Sequence, residues 1–329
     1  MRSTSSTRPV TPPNQTGYTA PGLRLRAEAG SYGYQKQSVS IGGVEGNFDY
    51  YLNADNYRND GYRDYSLSKS QGTTAATSGA GSRRPGSVWV GSKTTYTFDD
   101  DSKLTFGASY YEYAHNNSPN SPANPSYWDW HDLSFVLGYD RTDKLFGHES
   151  RTNLAFTSTE HLKGEVNSTF ANKQTRKFVD YGSSFDHVFS FGNDLELVDN
   201  LWLTSGLSAI NVRRHADVKQ ALQANTTTYP TDVTYDNWSL APRIGVRYEF
   251  TPQLQVFANV SRSIDPPASW EYSGSGPTTP YVRPLVEQKA NTVEIGVKGA
   301  SGIFDGSLAL YRSWVRDELL NVQIGRASD

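Results

Sequence analysis

The chain has 329 residues, 36% of them apolar and 13% aromatic, with Tyr (21) well ahead of Phe (14) and Trp (7), and 31 basic against 34 acidic side chains leave a formal charge of −3. The absence of cysteine removes disulfide scaffolds, thiolate zinc sites and thiol nucleophiles together, and the near balance of charge offers no basic field for nucleic acid. Mean hydropathy is −0.62 and no run reaches the roughly 18 consecutive apolar residues of a membrane helix, so any spanning falls to strands, which need only one apolar face.

Residues 1–21, rich in Ser, Thr and Pro, are predicted to be a disordered leader. They carry an Arg but no apolar core of a secretory signal. A chain bound for the outer membrane needs such a signal, so the expectation is a chain that has lost it or a piece of a longer gene product.

From Leu23 onward the dominant signal has period two. Phe48, Tyr50, Leu52 and Ala54 alternate with Asn47, Asp49, Asn53 and Asp55, and Leu104, Phe106, Ala108 and Tyr110 follow the same pattern, as do Leu133, Phe135, Leu137 and Tyr139. In the segment Trp238 to Phe250, Trp238, Leu240, Ile244, Val246, Tyr248 and Phe250 interleave with Asn237, Ser239, Arg243, Arg247 and Glu249. Leu254 to Val260 and Val293 to Val297 close the series. Each predicts a strand with one apolar and one polar face, of a length closer to the about nine to eleven residues of a tilted membrane strand than to the about five or six of a soluble one.

The connections take turns in length. Short ones fall at Gly43 to Asn47, Phe98 to Lys103, Arg141 to Gly147, Asp199 to Asn200, Thr251 to Gln253 and Ala300 to Gly306, and long ones at Arg58 to Gly86, His115 to Tyr127, His161 to Arg176, His215 to Asp236 and Ser263 to Gln288. Short turns on one side and long polar loops on the other are the plan of an outer-membrane barrel, whereas nothing in a β-sandwich requires it. The reading is all-β: a transmembrane antiparallel β-barrel over residues 22–329, with about twelve to fourteen strands.

Local motifs carry little chemistry. Gly86 to Thr95 nearly matches a phosphate-binding loop, but Ser92 separates the second Gly from Lys93 and no helix follows. Asp99, Asp100 and Asp101 lack the Gly and Glu of a calcium loop and read as a solvated turn. The six histidines never take helical metal-site spacing, and no nucleophile elbow is present, so neither catalysis nor a metal or cofactor is expected. Tyr110, Tyr111, Tyr113, Tyr127, Trp128 and Trp130, near strand ends, are predicted to form the aromatic girdle at the lipid interface.

Four segments, in order, resemble the barrel of TonB-dependent receptors. AEAGSYGYQKQSVSIGGVEGNFDYYLNADNYRNDGYRDYS (27–66) resembles the first three barrel strands and LELVDNLWLTSGLSAI (195–210) a mid-barrel hairpin. WSLAPRIGVRYEFTPQLQVFANVSRSIDPPASWE (238–271) is similar to the strand, turn, strand and loop that follow, and LVEQKANTVEIGVKG with GSLALYRSWVRDELL to the next hairpin. The pattern is closest to ferric-siderophore or ferric-citrate-type receptors. The resemblance implies a barrel of about 22 strands, of which this chain would supply part, without the plug that bears the TonB box and without the C-terminal strands.

What the resemblance implies is energy-coupled uptake at the cell outer membrane of a Gram-negative bacterium, with a ferric chelate, outer-membrane lipid and, through a plug, the TonB system as partners. Loop aromatics and Arg stack on and pair with an anionic chelate, which singles out Tyr62, Arg63, Trp128, Trp130, His131, Trp270, Tyr272 and Arg283. A porin-like passive channel and a soluble glycan-binding β-sandwich are the competing readings.

Overall fold

Strands built from alternating apolar and polar residues can bury or expose one face each, and they assemble here edge to edge in chain order. The computed structural model describes residues 14–31, 33–58, 86–117, 126–169, 176–221, 232–275, 280–282, 285–301 and 304–318. Fourteen strands form one antiparallel sheet. They are β1 (Gly22–Ala29), β2 (Gln35–Glu45), β3 (Phe48–Arg58), β4 (Gly86–Thr97), β5 (Lys103–Asn117), β6 (Ser126–Leu145), β7 (His148–Thr169), β8 (Arg176–Asp180), β9 (Ser184–Val198), β10 (Leu201–Ala221), β11 (Asp232–Thr251), β12 (Leu254–Asp265), β15 (Gln288–Ser301) and β16 (Phe304–Arg316). A small hairpin of β13 (Ser273–Ser275) and β14 (Pro280–Val282) stands apart.

Both β8 and β9 pair with β7 on one side and β10 on the other, so they are one stave broken at Tyr181 to Ser183, where Ser183 has φ 63°. The sheet runs from β1 to β16, and among the described residues these two edges do not pair with each other. The near miss to a phosphate-binding loop is part of β4.

The strands outrun the sequence reading. β6, β7, β10 and β11 have 20, 22, 21 and 20 residues, so the long connections expected from His115, His161 and His215 begin later, after Asn117, Thr169 and Ala221. Sequence patterning ended these strands where the apolar face ended, but backbone pairing continues beyond it as tall hairpins. The turns are correspondingly tighter: β6 and β7 meet through Phe146 (φ 55°) and Gly147 (φ 88°) alone, the two positive φ values of a two-residue hairpin turn. In the turn before β5, Asp100 Oδ1 accepts hydrogen bonds from the Ser102 N–H (3.2 Å) and Oγ–H (2.6 Å).

Alternation sorts the side chains onto two faces. On β11 the even residues are exposed and the odd ones half-buried from Asp232 to Leu240 and again from Ile244 to Phe250, so Trp238, Ile244 and Phe250 share an outer apolar face. Register carries that face across the sheet, through Phe106, Leu137, Phe156, Phe189, Ala209 and Leu240. The inner face is polar below: Trp202 lies between the guanidinium groups of Arg151 (5.0 Å) and Arg247 (5.1 Å), and Thr204 Oγ1 donates to Asp194 at 2.6 Å.

Two segments lie on this inner face. Within the stretch expected as a leader, residues 14–20 form a turn whose Gly17 N–H donates to Asp49 and whose Ala20 is buried. The described residues between β12 and β15 (266–275, 280–282 and 285–287) form a strap that lies against β10 through a 3-10 turn at Ser269–Tyr272 and meets β11 where Tyr235 reaches Glu287.

Candidate functional site

At the ends of the strands away from the tight turns the two faces exchange character. Tyr113, Trp130 and Gly164 are register partners pointing inward, while their neighbours Glu112, His131 and Lys163 point outward. A single extra residue, Leu162, opens a bulge in β7 just below the second row, between the His131–Lys163 and Asp132–His161 pairs. The inner group is a closed aromatic platform: Trp130 (5% exposed) stacks on Tyr181 with rings 5.7 Å apart and 6° from parallel, beside Val179, Ala216 and Tyr272. Gly164 makes the stack possible, since a Cβ there would sit 2.8 Å from the Trp130 ring. Trp128 lies against Trp130 with ring centroids 6.4 Å apart. The indole N–H groups of both Trp128 and Trp130 are buried without a hydrogen-bond partner, a state that ordinarily calls for a missing acceptor.

A polar frame surrounds the platform and ties the strap to it. Arg214, on β10, donates through Nε to the Pro267 carbonyl at 2.9 Å, through one terminal nitrogen to the Phe185 carbonyl at 3.1 Å, and through the other to Asp186 Oδ1 at 2.7 Å. His161 bridges Asp186 (3.6 Å) and Asp132 (2.7 Å), so charge alternates from β6 to β10. Ser269 of the strap donates to Ser184 at 3.3 Å. Glu287 closes the far end: Tyr235 Oη–H, Asn237 Nδ2 (2.8 Å), Ser239 Oγ (3.0 Å) and Lys289 Nζ (2.7 Å) all donate to its carboxylate. Burial opposes ionisation there, but the Lys289 ammonium and the Tyr235 hydroxyl outweigh it and hold the Glu287 pKa down at about 2. Burial likewise raises the Tyr272 phenol well above its ordinary value.

Of the sequence-predicted site residues, Trp128, Trp130 and Tyr272 come together. Tyr272 is 1% exposed and its hydroxyl donates to the Leu285 carbonyl at 3.3 Å, so it anchors the strap. His131 stands on the opposite face, between Tyr110 Oη (3.0 Å) and Asp129 Oδ1 (3.0 Å). Trp270 belongs to the 3-10 turn, but its side chain lies outside the described residues, as do Tyr62, Arg63 and Arg283.

The predicted lipid girdle is corrected in the same way. Tyr110 faces outward, whereas Tyr111, Tyr113, Trp128 and Trp130 face inward; Tyr127 has its side chain outside the described residues. Sequence reading missed Tyr181, Arg214, Tyr235 and Glu287, of which Tyr235 and Glu287 lie in segments read as loop; the phase of Arg214 with Ala216, continuing β10, was the available signal.

The model of the family described as TonB dependent receptor-like, beta-barrel, matches residues 30–329. Among solved structures, the alcaligin outer membrane receptor FauA from Bordetella pertussis superposes with a TM-score of 0.59 at 11% identity, over 89% of this chain and 46% of that one. The ferric yersiniabactin uptake receptor FyuA from Yersinia pestis gives 0.57 at 12% identity, over 90% and 49%. The ferric preacinetobactin receptor BauA from Acinetobacter baumannii gives 0.53 at 14%, over 88% and 49%. At these identities the likeness is one of fold, and the chain spans about half the length of the receptors it superposes on. No curated protein sequence matches it. An open antiparallel sheet of long staves with an apolar outer face, matched from residue 30 to residue 329, makes the chain a member of the TonB-dependent receptor-like β-barrel family.

Proposed function

We propose that these residues form part of the wall and rim of a receptor in the outer membrane of a Gram-negative bacterium, which captures a ferric chelate inside the rim for TonB-driven uptake. The carrying observation is the inward aromatic platform with two buried indole N–H groups, of Trp128 and Trp130, that have no partner. Anionic chelate oxygens accept such hydrogen bonds, and flat chelating rings stack on indole. Trp128 and Trp130 are the binding residues of this reading, with Trp270, Arg283, Tyr62 and Arg63 as further loop contributors. Tyr272 and Arg214 hold the strap beside them, and His131 is left outside the site by its outward orientation. The solved receptors for alcaligin, yersiniabactin and preacinetobactin share the fold, which supports a ferric-siderophore class.

The test is fluorescence quenching of the full-length protein by a panel of ferric hydroxamates, ferric catecholates and ferric citrate. Saturable quenching by at least one, weakened about tenfold or more in Trp128→Phe or Trp130→Phe proteins that still fold, is the expected result. Unchanged affinity in both variants, or no saturable binding of any chelate, overturns the reading.

A further inference from the structure

The inner face carries a second cleft, on β1 to β4, whereas the aromatic platform is built from β6 to β10 and the strap. The cleft has a volume of about 450 Å³ and lies between those strands and residues 14–15, within the size range of small-molecule sites. The segment that covers it is held to the wall. The Gly17 N–H donates to Asp49, and Ala20 is buried over Gly42, where a Cβ would stand 2.4 Å from the Ala20 carbonyl oxygen. Alternation turns Leu23 and Leu25 outward and sets Arg24 and Arg26 inward beside Ser40 and Ser38; the half-buried phase of β2 sets Lys36 inward with them. Glu28 takes up Arg26 and the Tyr34 hydroxyl, and Asp55 accepts from Asn53 Nδ2 at 3.0 Å. Three cations therefore meet two carboxylates, and among the described residues the side chains of Arg24 and Lys36 make no hydrogen bond or ion pair. Asn53, which lines the cleft and is 8% exposed, has its Oδ1 buried with no partner, an acceptor that calls for a donor. Ser40 is the register partner of both Arg24 and Asn53. Lys36 stands farther along β2, about 13 Å from Ser40 at about 3.3 Å per residue, so the two cations flank that acceptor.

We propose that this cleft binds a small hydroxylated dicarboxylate, with one carboxylate on Arg24, the other on Lys36 and the hydroxyl donating to Asn53 Oδ1. A planar guanidinium holds a carboxylate through two parallel hydrogen bonds, and an ammonium holds one as a point charge. A ligand with a single anionic group and no donor would leave one cation and the buried acceptor unmet. Trp89, which also lines the cleft, favours a carbon framework over an inorganic ion. The cleft takes this ligand without the platform, so the inference stands apart from the ferric-chelate reading.

The experiment titrates the full-length protein, in metal-free buffer, with malate by calorimetry, and compares succinate, which lacks the hydroxyl. Saturable malate binding is expected, weakened about tenfold or more for succinate and, in folded variants, by Arg24→Gln and by Lys36→Gln. Asn53→Ala is expected to bind malate and succinate alike. Arg262→Gln, on the opposite face of β12 and bonded to Asn291, is expected to bind malate like the parent. The succinate comparison needs no variant, so it decides the matter even where a substitution fails to fold. No saturable malate binding, equal affinity for succinate, parent-like affinity in Arg24→Gln or Lys36→Gln, or an equal loss in Arg262→Gln overturns the proposal. So does full displacement of malate by equimolar inorganic phosphate. Ferric-chelate quenching is read separately on the same protein, and its absence sinks the platform reading while leaving this site standing.

Discussion

The lower and upper parts of the same strands follow one geometry and opposite chemistry. On β6, Leu137 faces out and Asp140 in near the turns, whereas His131 faces out and Trp130 in at the rim. The pleat of β6 runs unbroken through both levels, past the one-residue shift of its partner β7 at Leu162, so on β6 the exchange is a change of surroundings. On the proposed outer-membrane placement, the outside below is lipid and the inside wet; above, the outside is water and the inside, covered by the strap, is the dry place. Buried apolar side chains collect wherever water is excluded, and the platform of Trp130, Tyr181 and Tyr272 marks where that has moved from outside to inside.

The contrast is broken most severely at the platform itself. Trp130→Ala removes a stacked ring that is 5% exposed and is expected to cost about 3–5 kcal/mol, seen as a lower urea midpoint in refolding and earlier proteolytic cutting of the strap. Next come charges on the outer face. Ile244→Arg, on a residue 56% exposed toward lipid, is expected to cost about 2–4 kcal/mol in a lipid refolding titration, against about 0–1 kcal/mol for Leu133→Arg at the upper edge of the band. Equal costs for the two would remove the lipid boundary from this place.

Glu287 tests the rim by pH. Its folded pKa of about 2 lies below the ordinary 4.5, so the stabilisation from its four donors is complete above pH 4.5 and is lost as pH falls from 4.5 through 2. The stability advantage over Glu287→Gln, at most about 3 kcal/mol, is expected to shrink across that window and to be flat above it. A constant difference from pH 6 to pH 2 would mean that the carboxylate charge does not hold the strap. The smallest effect is Tyr272→Phe, which removes one hydrogen bond of 3.3 Å and is expected to cost about 0.5–1.5 kcal/mol, with the strap still docked by protease protection.

The lower region was legible because period two is read directly when one face is all apolar, as in Trp238 to Phe250. The rim was not, for three physical reasons. The faces exchange character, so Trp128 and Trp130 read as lipid girdle although they point inward. The bulge at Leu162 shifts the phase of β7 by one residue. And Tyr181, Tyr235, Tyr272 and Glu287 meet only through tertiary folding of segments far apart in the chain, such as Tyr235 with Glu287.

The strap has a further consequence, in the entropy of any encounter at the rim. A connection of this length left free would have to be ordered when a solute arrives, at about 0.5–1.5 kcal/mol for each immobilised side chain. Here Arg214 already holds Pro267, Ser184 holds Ser269, and Tyr235 and Asn237 hold Glu287. Those tethers fix one bank of the opening before anything enters it, so a visiting molecule meets a preformed wall, and the ordering that would have weakened its binding has been completed during folding.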